Sequence, residues 1–176
     1  MRKFSAREMT LAAVIAAVYA VLTLSLPIPQ YGAIQIRFAE ALTVLPFFLP
    51  AAVPGLTVGC FIANLSSPFV LDWVFGTLAT FLAAVWTSRL RRPGLAPFPA
   101  VVCNAVIIGG EIAWLSTADS AAFLPVFAFN ALTVGLGELI ACYLLGGVLL
   151  KSLPKIPYFV DLIPPKRLGE ISPLNH

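Results

Sequence analysis

The chain is poor in charge and nearly devoid of histidine. Asp, Glu, Lys and Arg make up 11% of its 176 residues, under half of the roughly 25% usual in soluble domains. That shortage argues against a water-soluble globular surface. The only histidine is His176, which removes a Ser/His/Asp triad and leaves metal ligation by imidazole unsupported. Cys60, Cys103 and Cys142 stand apart inside apolar runs with no C-x-x-C pair, so each reads as a small packing residue. No G-x-x-x-x-G-K-[ST] loop and no H-E-x-x-H are present, so the chain does not hydrolyse nucleotide by that route. Without a nucleophile–base pair an enzymatic role is the weakest reading, and no cofactor is indicated.

What the sequence does have is long apolar runs. Hydrophobic residues make up 60% of it, and residues 9–36, 41–71, 73–88, 93–110 and 120–137 carry no charge at all. A helix needs about 20 such residues to cross the hydrocarbon core, and in lipid its backbone groups must pair within the element. A β-barrel would alternate polar and apolar residues, which these runs do not. We therefore expect an all-α, polytopic membrane protein. The N-terminus has the basic residues and apolar run of a signal peptide. That run continues to about Leu26 with no convincing small-residue cleavage site, so it reads as the first membrane helix.

Charge sets the expected topology. Arg2, Lys3 and Arg7 form one basic cluster, Arg89, Arg91 and Arg92 a second, and Lys151, Lys155, Lys166 and Arg167 a third. Basic flanks stay on the cytoplasmic side, and ten of the eleven basic residues obey that rule if all three clusters are inside. Arg37 is the one left over. The net charge of +3 is thus a membrane signature and does not point to nucleic acid. Each interval between inside clusters must hold an even number of crossings. The stretch 38–66 is too long for one span and contains Pro46, Pro50, Pro54 and Gly55, so it is expected to split near 50–53. This predicts six transmembrane helices with both termini cytoplasmic and external loops near 27–37, 66–70 and 116–122. A re-entrant segment is the alternative. Residues 1–151 form the membrane domain. Residues 152–176 are a Pro-rich cytoplasmic tail, partly disordered or lying on the membrane surface.

Ionisable groups inside a membrane are expensive and point to function. Glu40, Asp72 and Glu111 are predicted near the outer side, with Glu138 near the middle of the last helix. Asn64, Asn104 and Asn130 are predicted on the third, fifth and sixth helices. Asn104 and Glu111 are seven residues apart and share a helix face. Trp73 and Trp114 fall near the outer boundary. Together these predict a carboxylate-and-amide pocket open to the outside, with aromatic rings for stacking. Structural readings compete. Asp72 and Glu40 fit first-turn acids, Arg37 and Glu40 fit an ion pair, the tryptophans fit interfacial anchors, and the asparagines fit interhelical bonds. Ala12, Ala16 and Ala20 recur every four residues, with Ala13 and Ala17 beside them; such a stripe serves either internal packing or a partner membrane protein. Gly55 and Gly59 form a second small pair, read as packing.

The stretch from Gln35 to Gly55, QIRFAEALTVLPFFLPAAVPG, resembles the QueT family. So do Gly59–Asn64, Asp72–Thr80 and Asn130–Glu138. The resemblance covers about residues 5–150 and is most specific in its first segment. It implies a substrate-binding S component of an energy-coupling factor transporter, a multi-pass protein of the bacterial plasma membrane. It also implies a queuosine precursor as substrate, such as 7-aminomethyl- or 7-cyano-7-deazaguanine or queuine. A membrane coupling subunit and two ATPases would be the partners, with Ala12, Ala16 and Ala20 as the docking face. Site residues would come from Glu40, Asp72, Asn104, Glu111, Asn130 and Glu138, with Trp73 or Trp114 stacking on the ring. The alternatives are an S component for another vitamin or nucleobase, a self-sufficient proton-coupled carrier using Glu138, and a ligand-free membrane scaffold.

Overall fold

The computed structural model describes residues 5–26, 30–33, 35–118, 120–165 and 167. Arg2, Lys3 and Lys166, parts of the loops expected at 27–37 and 116–122, and the tail beyond Arg167 lie outside the described residues. Among those described, all regular structure is helical. Helix α1 (Ala6–Ser25) opens on a reciprocal cap. Ser5 Oγ accepts from the Glu8 amide, and the Glu8 carboxylate accepts from the Ser5 amide. Helix α2 (Phe38–Phe48) is a tight 3-10 helix through Val44 and α-helical from Leu45. Pro46 fits there because the first turn of an α-helix leaves its N–H groups unbonded.

The chain breaks at 49–51, around Pro50, and resumes as α3 (Ala52–Asn64). Helices α4 (Asp72–Arg89), α5 (Phe98–Ser116) and α6 (Ser120–Lys155) follow. The middle of α6 widens into π-helical turns at Ile140–Leu145. The helices Ala6–Ser25, Pro93–Ser116 and Ser120–Lys155 are long and apolar enough to cross a membrane. With 11 residues, seven of them 3-10, and 13 residues, α2 and α3 are each only about 20 Å long, short of the roughly 30 Å hydrocarbon core.

Packing is inverted relative to a soluble bundle. Val14, Val18 and Val21 of α1, Val74, Leu78 and Leu82 of α4, and Leu132, Leu136 and Leu144 of α6 are exposed. Glu40, Asn64, Thr80, Asn104 and Glu138 are buried instead. An apolar exterior this extensive suits lipid. Arg7, Arg89, Arg91, Arg92, Lys151 and Lys155 collect at one end of the bundle, and Arg37 stands apart from them.

Small residues set the helix contacts. A Cβ on Gly55 would lie 2.6 Å from the Ala12 carbonyl oxygen, and one on Gly59 would lie 2.7 Å from that of Ala16. Helix α3 therefore covers the alanine stripe of α1. Ala16 and Ala20 are buried inside the bundle, and the two small-residue motifs are halves of one contact. Of the two roles considered for Ala12, Ala16 and Ala20, internal packing is the one whose contact is seen here. The side of α1 turned outward carries Ala13, Val14, Ala17 and Val18.

The described part of the C-terminal tail packs back under the basic end. Leu153 and Ile163 join the same apolar cluster as Phe47 and Leu49. Arg167 donates from both terminal nitrogens to the carbonyls of Leu90 and Ser88 at the end of α4, and its guanidinium lies 5.2 Å from the Phe47 ring.

Candidate functional site

The buried polar groups converge on α2. Glu40 lies one 3-10 turn after Arg37 and donates its amide to the Arg37 carbonyl at 3.1 Å. Its side chain is fully enclosed. Oε1 accepts from Tyr19 Oη of α1 and, at 3.4 Å, from Thr80 Oγ1 of α4. Oε2 has no partner. The Glu40 carbonyl accepts from Thr43 Oγ1 and, at 3.5 Å, from Cys142 Sγ, which also reaches Glu138 Oε2 at 3.5 Å. Asn104 of α5 faces both Glu40 and Glu138, yet its Nδ2 reaches hydrogen-bond geometry with neither. Five helices thus supply Tyr19, Glu40, Thr80, Asn104 and Glu138 to one enclosed centre.

Two local devices place Glu138 there. A Cβ on its neighbour Gly137 would lie 2.0 Å from the Gln35 carbonyl oxygen, so only glycine lets the segment leading into α2 lie against α6. The π-helical turns that follow carry Cys142 against the Glu138 carboxylate and the Glu40 backbone carbonyl. Wide turns of this kind recur at functional sites.

A second group sits nearer the loops opposite the basic end. Asp72 begins α4, and its Oδ2 accepts from Ser67 Oγ. Asn64 Nδ2 donates to the Asp72 carbonyl at 3.0 Å. Asp72 and Glu111 line a cavity of about 100 Å³, together with Gly32, Phe69, Ile108 and Leu115.

Arg37 links the two groups. It is buried, its Nε donates to the Gln30 carbonyl at 2.7 Å, and its guanidinium lies 5.0 Å from the Tyr31 ring. Tyr31 is anchored in turn by its hydroxyl, which donates to the Ala63 carbonyl at 2.7 Å. Arg37 makes no hydrogen-bonded ion pair with Glu40, and its charge acts through space on Glu40, Glu138 and Glu111. Enclosing one guanidinium with four carboxylates carries a desolvation cost that helix packing alone would not require.

Most of the sequence-predicted residues fall into these two groups: Glu40, Asn104 and Glu138 in the centre, Asp72 and Glu111 nearer the loops. The others stand apart. Asn130 donates to the Val126 carbonyl of its own helix at 2.8 Å. Trp73 is half-buried, with its indole N–H unpartnered. Trp114 is 74% exposed and meets the second group only at a lateral groove it borders with Phe75, Leu78 and Glu111, the position of an interfacial anchor. Sequence reasoning missed Tyr19, Thr80, Cys60 and Cys142 as members of the network. Cys60 Sγ contacts Thr80 Oγ1 at 3.2 Å and Asn64 Nδ2 at 3.3 Å. For Tyr19 no sequence signal exists, because its partner lies 21 residues away on another helix.

The model of the QueT transporter family matches residues 9–155. A curated relative, the queuosine precursor transporter QueT of Lactococcus lactis subsp. cremoris (strain MG1363), is 33% identical over 84 residues. That alignment covers 47% of this chain and 50% of the relative, so the chain spans about half the length of the curated protein it matches. No solved structure matches the chain.

Proposed function

This chain belongs to the QueT transporter family, and from that premise we propose that it is the substrate-capturing membrane subunit of an importer for queuosine precursors. It takes a 7-deazaguanine from outside, and partner subunits supply the energy: a membrane coupling protein and two ATPases of an energy-coupling factor module. The sequence has no nucleotide-binding loop of its own, in keeping with that division of labour. The six main helices are read as a membrane bundle in the bacterial plasma membrane, with the basic end and both termini cytoplasmic.

The observation that carries this reading is the enclosed Glu40–Asn104–Glu138 centre, in which Glu40 Oε2 and Asn104 Nδ2 have no partner within the protein. A deazaguanine presents an N1–H and a 2-amino group side by side, and a carboxylate accepts both. Its 6-oxo group accepts from an asparagine amide. Glu40 and Asn104 have this complementary chemistry, Tyr19 and Thr80 fix the Glu40 carboxylate, and Arg37 offsets its charge. Glu138 adds a second acceptor. The Glu40 carboxylate is held by hydrogen bonds from two other helices, so little ordering of that group remains to be done on binding.

The test is equilibrium binding to the purified protein in detergent. It uses 7-aminomethyl- and 7-cyano-7-deazaguanine, with guanine, riboflavin and biotin as controls. Selective binding of a deazaguanine, weakened at least about tenfold by Glu138→Gln, is expected. Folded protein that binds neither deazaguanine would refute the substrate assignment. A second reading, a proton-coupled carrier, draws on the closeness of Glu40 and Glu138 in an apolar interior. It requires pH-driven uptake by the purified chain alone in liposomes, which the first reading excludes.

A further inference from the structure

Glu111 is not accounted for by reading of the ring edge. It lies two helical turns from Asn104 on α5, with Ile108 between them on the same face. It is 6% exposed, no donor group of the protein reaches either of its carboxyl oxygens, and its near neighbour is the like-charged side chain of Asp72. Both it and Asp72 line the same cavity of about 100 Å³. Asp72 has a structural reason to be acidic, since it opens α4, where the helix dipole favours negative charge. Glu111 has no such reason, standing in the C-terminal third of α5. Arg37 is the only buried cation among the described residues, and its field is shared with Glu40 and Glu138.

We infer that the Asp72–Glu111 cavity is an ammonium subsite. It holds the protonated amine of an arm carried by a ligand whose ring sits at Glu40 and Asn104, and so it rests on the function proposed above. Seven residues of α5 separate Asn104 from Glu111, an axial distance of about 10 Å. A bicyclic ring with a one-carbon aminomethyl arm spans that distance once N–H···O bonds of about 2.9 Å are counted at both ends. A protonated amine offers the donors that Glu111 lacks, and its charge offsets one of the pair's two negative charges. A nitrile offers neither a proton nor a positive charge, and turns a lone pair toward two carboxylates. The subsite therefore selects aminomethyl precursors, primary or secondary, over the cyano form.

The full chain in detergent is titrated with 7-aminomethyl- and 7-cyano-7-deazaguanine, and the titration is repeated with Glu111→Gln and Asp72→Asn after each variant is shown to melt cooperatively. Wild type is expected to prefer the aminomethyl ligand at least about tenfold, and Glu111→Gln to abolish that preference by weakening the aminomethyl ligand. Should Glu111→Gln not fold, Asp72→Asn carries the same test. Equal wild-type affinities, or a preference that survives both substitutions, would overturn the subsite and leave the ring-binding reading standing. Binding of neither ligand by folded protein would overturn both.

Discussion

Gly137→Ala puts the architecture of the site to a direct test. The added Cβ would lie 2.0 Å from the Gln35 carbonyl oxygen, whereas ordinary contact begins at 3.4 Å. The obstacle is backbone, so no side-chain rotation relieves it. The segment leading into α2 must move away from α6 by about the difference, 1.4 Å. Overpacking of this kind costs about 1–3 kcal/mol. The displaced segment carries Arg37 and leads into Glu40, so the loss should appear in binding as well as in stability. A cost of about 1.4 kcal/mol corresponds to tenfold in affinity, and we expect at least that for 7-aminomethyl-7-deazaguanine. The assay pairs calorimetric titration with thermal melting in detergent. Gly147→Ala serves as control, because a Cβ there meets nothing within 4 Å and helix propensity favours alanine. Wild-type affinity and melting temperature in Gly137→Ala would show that the loop and α6 do not hold the site by this contact.

Further outcomes follow from other contacts. Tyr19→Phe removes a hydroxyl donor from Glu40 Oε1 and leaves Thr80 at 3.4 Å, so stability should fall by about 1–3 kcal/mol in chemical or thermal unfolding; an unchanged transition would mean the bond contributes nothing net. Gly59→Val drives a side chain into the Ala16 carbonyl, and a loss of about 1–3 kcal/mol is expected, with normal melting as the contrary result. Arg167→Ala frees the carbonyls of Ser88 and Leu90 and should speed proteolysis beyond Lys155; identical digestion would show that the arginine does not tether the tail. Trp114→Ala should leave ligand affinity within about twofold, and a tenfold loss would return the ring to the site.

The helices were legible because lipid imposes a simple rule: uncharged runs of sufficient length. The break within 38–66 was legible because Pro46, Pro50 and Pro54 crowd one stretch, and the two short helices meet at Pro50. Buried acids were legible one at a time because a membrane makes them costly. Their grouping was not, since it depends on rotations and depths of helices that no local pattern records. Glu40 lies on the tightly wound part of α2 and Glu138 just before the wide turns of α6, and neither kind of winding has a local sequence pattern. Arg37 did leave a mark, as the cation that fitted no cytoplasmic cluster. The alanine stripe was recognised as a contact surface, but a small-x-x-x-small pattern does not say what approaches it. The answer lies in Gly55 and Gly59, the second such pattern, whose packing role the contact with Ala12 and Ala16 bears out.

The family match ends at residue 155, but the apolar core does not. Ile163 belongs to the cluster that holds Phe47 and Leu49, and Phe159 and Leu162 pack against it. A protein cut at the family boundary would uncover that patch directly beneath the 49–51 break, while a longer one keeps it sealed. In this chain the apolar core is therefore closed by residues that lie beyond the segment the family model matches.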